Sequence, residues 1–362
     1  MRIGVDARPL NFPNTGIGRY TAQLLKVLWQ QSEHSWYLYA DRPILKQLPE
    51  HVSIRTANNN LPALSTLYAQ ANFARWARQD DVDLFWSPRH HLPLRTAAGK
   101  TMVTIHDLVW EKAPDTMKAL GKTVDAWLMP RAIRQADAIL VPSHSTRQDI
   151  EDKWPQVADR VHITPLASSL ALAKRDSDQS GVKEIGNPIT LLFVGSLEPR
   201  KNLPNILRAF DQLCQSYPGR VNLLVAGGGG WKSDEAQADL HKHPNVQVLG
   251  DLDDLKLSEL YSRADVLLAP SLYEGFGLPI VEAMGFGVPA VTSNVSSMRE
   301  FAHAGATLVD PCSVEGICAG ITRLIEEPDY YAACVKAATQ ASSSYSWEKC
   351  GQQTLRVIEA LS

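Results

Sequence analysis

Short apolar runs of three to six residues alternate along the chain with longer stretches in which apolar positions recur every third or fourth residue. The first kind suits strands buried on both faces, and the second suits amphipathic helices laid over them. The pattern predicts strands over residues 2–5, 36–39, 52–54, 83–86, 102–105, 138–141 and 161–163, with helices over 18–30, 66–78, 116–135 and 145–153. Residues 167–187, ASSLALAKRDSDQSGVKEIGN, are polar, hold no sustained period and read as a linker. The pattern then restarts, with strands over 189–194, 221–226, 246–249, 266–269, 289–292 and 307–309 and helices over 203–215, 255–263, 314–326 and 330–341. Such alternation predicts an α/β protein of two Rossmann-like, doubly wound parallel-sheet domains of similar size. Ligands of such sheets sit at the carboxyl ends of the strands, so a cleft between the two domains is the expected site.

Composition narrows the function. At 362 residues the chain is long enough for two domains, and its 44% apolar content fills two cores. With 36 basic and 39 acidic residues the net charge is −3, which lacks the basic excess expected of a nucleic-acid binder. The five cysteines, at 214, 312, 318, 334 and 350, are odd in number and form no CxxC pair, so neither a disulfide framework nor a zinc site is expected. Reduced thiols fit a cytoplasmic protein. The chain has no signal-like N-terminus and no apolar run of ~20 residues, which leaves open a peripheral contact at the inner face of the membrane.

The candidate chemistry lies in loops that follow strands. The first strand runs into DARPLNFPNTGIGRY, where Gly16 and Gly18 flank Ile17 before a helix beginning near Arg19. Glycines allow close approach of a ligand, and a helix N-terminus offers unpaired N–H groups to an anion. GIGRYT lacks the third glycine of the dinucleotide fingerprint, and a tight strand-to-helix turn accounts for it equally well. The strand at 189–194 runs into GSLEPRKNLP. There Arg200 and Lys201 read as an exposed loop, Asn202 as a helix cap and Pro204 as a residue of the first helical turn. Cations gain nothing from a helix N-terminus, so the pair makes sense if an anion such as a diphosphate lies between them; a solvated turn is the plain alternative.

In SLYEGFGLPIVEAMGFGVP, residues 271–289, Gly275 and Gly277 make a turn and Pro279 opens a helix that ends at Gly285 or Gly287. The N–H groups of Phe276, Gly277 and Leu278 face the open end of that helix. Glu282 falls one turn in, and Glu274 is placed before the turn, where a carboxylate can hold vicinal sugar hydroxyls. His106, with Asp107, follows the strand at 102–105, while His90 and His91 compete with it from the end of another strand; a structural role is the plain alternative for each. Asp251 with Asp253, and Asp81 with Asp83, fit the DxD pattern. The first pair reads as N-cap chemistry, the second leads into a strand, and neither has further ligands, so no metal is expected.

The segment EGFGLPIVE, with seven residues between Glu274 and Glu282, resembles the signature of the family-four retaining glycosyltransferases, which have the two-Rossmann-domain GT-B fold. VGSLEPRKN resembles the family's phosphate loop, TGIGRYT and TIHDL its first-domain turn and strand end, and VPSHSTRQDI and YSWEKCGQQTL are also similar, so the resemblance spans nearly the whole chain. It implies an acceptor-side domain over 1–168, a linker over 169–187, a nucleotide-sugar-binding domain over 188–345 and a helix over 346–362 that crosses back to the first domain.

By the same resemblance Lys201 and Arg200 hold the donor's diphosphate and stabilise it as it leaves. Glu282 binds the ribose hydroxyls, and Glu274 contacts the transferred sugar beside the backbone of Phe276, Gly277 and Leu278. Gly16, Ile17 and Gly18 approach the diphosphate, and His106 bonds a sugar hydroxyl near the reacting carbon. Many members carry an arginine directly after the glycine of the phosphate strand; here Ser196 follows Gly195, so the second cation falls to Arg200. The EPRKN form resembles bacterial mannosyltransferases of surface polysaccharide biosynthesis. That implies transfer of a hexose, mannose from GDP-mannose, to a glycan or lipid-linked glycan, with no cofactor and no required metal. UDP-glucose, UDP-N-acetylglucosamine and dTDP-rhamnose are alternative donors, and a sugar-nucleotide epimerase of the same fold is the alternative enzyme. For a lipid-linked acceptor, Trp110, Met117, Leu120, Trp127 and Met129 are candidates for an apolar surface, against the plainer reading that they fill the core.

Overall fold

In the computed structural model the described residues are 1–44, 48–59, 61, 64–95, 97–170, 185–229, 240 and 243–362. They gather into two compact units, Met1–Glu111 with Ala119–Leu166 and Trp347–Ser362 in the first, Lys112–Lys118 with Ala167–Ser346 in the second. The linker expected over 169–187 falls mostly outside the described residues.

Each unit is built on one parallel sheet. The first contains β1 (Arg2–Asp6), β2 (Ser35–Ala40), β3 (Val52–Thr56), β4 (Leu84–Ser87), β5 (Lys100–Thr104), β6 (Ala138–Val141) and β7 (Val161–Ile163), in the order β3-β2-β1-β4-β5-β6-β7. The second contains β8 (Ile189–Val194), β9 (Val221–Ala226), β10 (Val246–Gly250), β11 (Val266–Ala269), β12 (Ala290–Ser293) and β13 (Thr307–Val309), in the order β10-β9-β8-β11-β12-β13. All thirteen predicted strands are present to within two residues at either end. Every position of β4, β6 and β12 is buried, as expected of strands covered on both faces. In each sheet the strand order reverses once, between β1 and β4 and between β8 and β11, and that is where doubly wound sheets take ligands.

Helix Gly16–Gln31 turns Tyr20, Leu24, Leu25 and Leu28 inward, an apolar stripe at helical spacing. Its first turn is closed by Thr15, whose Oγ1 accepts from the Gly18 N–H at 3.1 Å. Helix Trp347–Ala360 packs against it so closely that a Cβ at Gly351 would fall 2.4 Å from Val27 Cγ1. At the end of β1, Asp6 holds Arg8 in a buried bidentate pair, with Nε 2.8 Å from Oδ1 and Nη2 2.5 Å from Oδ2. Removing one partner of such a pair strands a buried charge, so it fixes how the chain leaves the strand.

Residues 116–135, expected as one helix, divide. Pro114–Thr116 forms a short 3-10 turn, Met117 is extended at φ −108° and ψ 153°, and the helix proper is Ala119–Gln135. The candidates for an apolar surface divide with it. Met129 is fully buried and accepts from the Trp110 Nε1–H at 3.1 Å, while Leu120 and Trp127 are 77% and 63% exposed. Among the described residues no helix is long and apolar enough to cross a membrane. The nine-residue 3-10 helix Ser296–Ala304 has no counterpart in the sequence pattern.

Candidate active site

The two loops at the reversal point of the second sheet carry most of the expected residues. After β8 the chain turns at Gly195, whose φ of +150° suits glycine, and the Lys201 stem lies across it, with Cε 3.4 Å from where a Cβ would sit. Pro199–Lys201 is a single 3-10 turn. Asn202 stands at the start of helix Leu203–Ser216, as expected, but in left-handed conformation (φ 63°, ψ 30°) and without capping it. Its Nδ2 instead donates to the carbonyls of Pro270 at 2.9 Å and Pro311 at 2.7 Å, and the Leu272 N–H donates to the Arg200 carbonyl at 2.9 Å. The loop after β8 is thereby bolted to the loop after β11.

That bolting corrects the expectation of an exposed Arg200-Lys201 loop. The side chains of Arg200, Lys201 and Glu274 are 15%, 13% and 12% exposed. Lys201 Nζ lies 2.6 Å from Glu274 Oε1, and Arg200 Nη1 pairs with Glu274 Oε2. Arg200 also reaches the Tyr273 carbonyl at 3.2 Å and Glu198 at 3.4 Å. Burial alone pushes the Glu274 carboxyl up, but Arg200 and then Lys201 more than reverse this and hold it at about 2. Glu274 is therefore a carboxylate locked between two cations rather than a side chain projecting freely. A small pocket opens among Lys201, Glu274, Ser271, Gly277 and Ile280.

The backbone of the glycine turn is held from a third loop, which sequence reasoning missed. Ser296 Oγ accepts from the Glu274 N–H at 3.1 Å, and the Ser297 hydroxyl lies 2.8 Å from the carbonyls of both Glu274 and Phe276. Gly277 has φ +112° and caps helix Leu278–Gly285; a Cβ there would fall 2.9 Å from Met298 Cε. Phe276 packs edge-on against Phe301 and Tyr345, so only its backbone is offered to a ligand. Glu282 lies one turn into the helix, as expected, but is buried, and the Tyr261 hydroxyl donates to its Oε2 at 2.8 Å. Tyr261 itself stacks on Phe286.

In the first unit the expected residues lie on the loops after β1, β4 and β5. Gly16 begins the helix in open space, exposed beside Ile17. Gly18 plays another part. Its N–H is spent on Thr15, and a Cβ would fall 2.0 Å from the Phe12 carbonyl oxygen, so that glycine serves backbone packing. The offer of N–H groups to an anion falls to Gly16 and Ile17.

His106 Nε2 lies 2.9 Å from the Pro88 carbonyl, which can only accept, so Nε2 carries the proton and Nδ1 is left as the ring's acceptor. Burial and then His90 push its pKa down to about 3. The ring meets Tyr20 edge-on with centroids 4.7 Å apart. Of the competing histidines, His91 is committed to Asp125, with Nε2 2.7 Å from Oδ1, and is buried. His90 stays beside His106, with ring centroids 5.6 Å apart.

The DxD pairs have other work. Asp253 accepts from the Lys256 N–H at 2.8 Å as the cap of helix Asp254–Arg263, and Asp83 accepts from the Arg2 N–H at 2.7 Å. Among the described residues no cluster of three metal-ligating side chains is present.

With this geometry in hand, likenesses to known proteins become informative. Residues 14–167 match the family described as glycosyltransferase family 4, and residues 174–341 match the glycosyl transferases group 1. The O-antigen chain mannosyltransferase B of Escherichia coli is 29% identical over 100% of both chains. Among solved structures, sucrose-phosphate synthase from Thermosynechococcus elongatus aligns with a TM-score of 0.78 at 18% identity, covering 100% of this chain and 99% of its own. HepE from Anabaena, in complex with UDP and glucose, aligns with a TM-score of 0.76 at 18% identity, covering 99% of this chain and 100% of its own. At such identities the structures speak for the fold.

Proposed function

Since the chain belongs to the family-four glycosyltransferases and has their GT-B fold, we propose that it moves mannose from GDP-mannose, with retention, to a glycan or lipid-linked glycan. The observation that carries the reading is the cluster of Lys201, Arg200 and Glu274 at the reversal point of the second sheet. As the bond from the anomeric carbon to the phosphate oxygen breaks, negative charge builds on the departing diphosphate. Fixed cations stabilise that charge without reorganising. The acceptor hydroxyl attacks from the face the phosphate leaves, and its proton passes to the departing phosphate oxygen. Glu274 receives hydroxyls of the transferred sugar, Glu282, oriented by Tyr261, those of the ribose, and Nδ1 of His106 accepts from a sugar hydroxyl.

In this reading Arg200, Lys201 and the helix start at Gly277 supply the positive potential, so transfer persists in excess EDTA. A lipid-linked acceptor places the enzyme at the cytoplasmic face of a membrane. The mannosyl assignment leans on the Escherichia coli relative's name and on the EPRKN loop, whereas the Anabaena neighbour was solved with UDP and glucose. A thermal-shift panel of GDP, UDP and dTDP decides between them, because a ligand that binds only the native state raises apparent stability. GDP is expected to give the largest shift; a larger shift with UDP would overturn the mannosyl donor and leave glycosyl transfer standing. An epimerase of the same fold would turn over its donor with no acceptor present.

A further inference from the structure

Among the described residues, the charges paired at the proposed phosphate cradle of the second unit balance before any ligand arrives. Arg200 and Lys201 supply two positive charges, and Glu274 and Glu198 supply two negative ones within ion-pair distance. Glu274 cannot swing out to water. Its backbone N–H is held by Ser296, its carbonyl by Ser297, and both carboxylate oxygens by cations, with only 12% of the side chain exposed. Any diphosphate that reaches Lys201 therefore also meets a fixed carboxylate.

The two diphosphates an enzyme of this kind encounters differ at that point. In a nucleotide sugar the outer phosphate is a diester with a single negative charge, and the sugar brings hydroxyl donors that a carboxylate can accept. In the free nucleoside diphosphate the outer phosphate carries a further negative charge and brings no donor. We infer that Glu274 is the residue that discriminates sugar-capped from free diphosphate, lowering affinity for the leaving product while holding the donor. The inference rests on the donor-site reading above and concerns charge selection, which that reading does not specify. The depressed pKa of Glu274 agrees with it, since a carboxyl held at about 2 is charged near neutral pH.

The test compares inorganic pyrophosphate with its P1,P2-dimethyl ester, which keeps the diphosphate and removes the terminal charges. Both are titrated calorimetrically into the full chain, as wild type and as Glu274→Gln, with circular dichroism as the folding control. Wild type is expected to bind the ester at least as tightly as free pyrophosphate. Glu274→Gln, with the like charge removed from the cradle, is expected to shift the ratio toward free pyrophosphate by about tenfold or more. Glu274→Asp keeps the charge and is expected to keep the wild-type ratio. If Glu274→Gln does not fold, Glu198→Gln takes its place: a preference for the ester that survives in Glu198→Gln supports Glu274, and one that is lost there overturns the assignment to Glu274. Binding of both probes with a ratio unchanged by Glu274→Gln would overturn the inference and leave the donor site standing. Failure of wild type to bind either probe would overturn the donor-site reading and the inference together.

Discussion

The ammonium of Lys201 lies 2.6 Å from Oε1 of Glu274, with both side chains almost closed to solvent. Removing it has two effects. The transition state loses a cation where charge is building, which costs roughly 2.7–4 kcal/mol, or about a hundred- to a thousandfold in turnover. Glu274 also loses one of its two partners, so Lys201→Ala is expected to melt below wild type, unlike an exposed loop substitution. Turnover, donor dissociation constant and a thermal melt check this, with turnover falling more than affinity. Wild-type turnover in Lys201→Ala would move the leaving-group role to Arg200.

Glu282 and Tyr261 make a different prediction. A ribose contact exists in ground and transition states alike, so Glu282→Ala should weaken donor binding before it lowers turnover. Tyr261→Phe keeps the ring stacked on Phe286 and removes the hydroxyl, with its 2.8 Å bond to Glu282 and its longer 3.3 Å bond to the Pro279 carbonyl. A bond to a charged group contributes about 1.5–3 kcal/mol, so the variant should lose stability of that order and bind donor more weakly. Chemical denaturation and donor titration measure both. Unchanged values on both would show that Tyr261 does not orient the carboxylate.

His106 predicts a pH dependence. Its folded pKa is pushed down to about 3, chiefly by burial, whereas an unfolded histidine titrates near ~6.5. Between these values the unfolded state binds more protons, so stability is lost as pH falls through the window, by up to about 1.4 kcal/mol per pH unit from this group. His106→Gln should flatten the unfolding free energy between about pH 6 and pH 4 by that slope. Glu274, held at about 2 against an ordinary 4.5, adds its own loss as pH falls from about 4.5 toward 2, which overlaps the lower end of that window and is the same in wild type and His106→Gln. An unflattened curve in His106→Gln would show that the ring titrates freely in the folded protein.

Leu120 and Trp127 stand two turns apart on one face of helix Ala119–Gln135, 77% and 63% exposed, and Arg131 and Arg134 continue the same face. Apolar residues beside cations suit the surface of an anionic bilayer. Flotation with anionic vesicles at low salt should carry the protein upward, and Leu120→Ser with Trp127→Ser should leave it at the bottom. Wild type remaining wholly at the bottom at low salt would count against docking.

The strands were legible because they are continuous apolar runs, and the site loops because glycine and proline mark where strands end. EGFGLPIVE shows its turn, its helix and both carboxylates in local order. What was not legible depends on residues far apart in the chain. Nothing near Lys201 tells that its charge is met by Glu274, so the loop read as exposed. Asn202 has the residue type of a cap, yet its amide is spent on the Pro270 and Pro311 carbonyls. Gly18 reads as a ligand-facing glycine only until the Phe12 carbonyl is seen against it. Ser296 and Ser297 open a short 3-10 helix whose apolar positions, Met298, Phe301 and Ala304, mark only its packing, so no pattern marks the hydroxyls that hold the glycine turn.

Helix Trp347–Ala360, seated on helix Gly16–Gln31, gives the first unit a late component. On the ribosome, Trp347 is joined roughly 180 residues after Leu166 closes the earlier part of that unit. At ~5–20 residues per second this is a delay on the order of ten to forty seconds. During it the face that will receive Gly351, Thr354 and Ile358 is uncovered beside Val27, while all of Ala167–Ser346 is synthesised. The nascent chain thus begins its first unit early and completes it only after the second has been synthesised, and a chain cut short before Trp347 would carry all of the second unit while its first still shows apolar surface to chaperones.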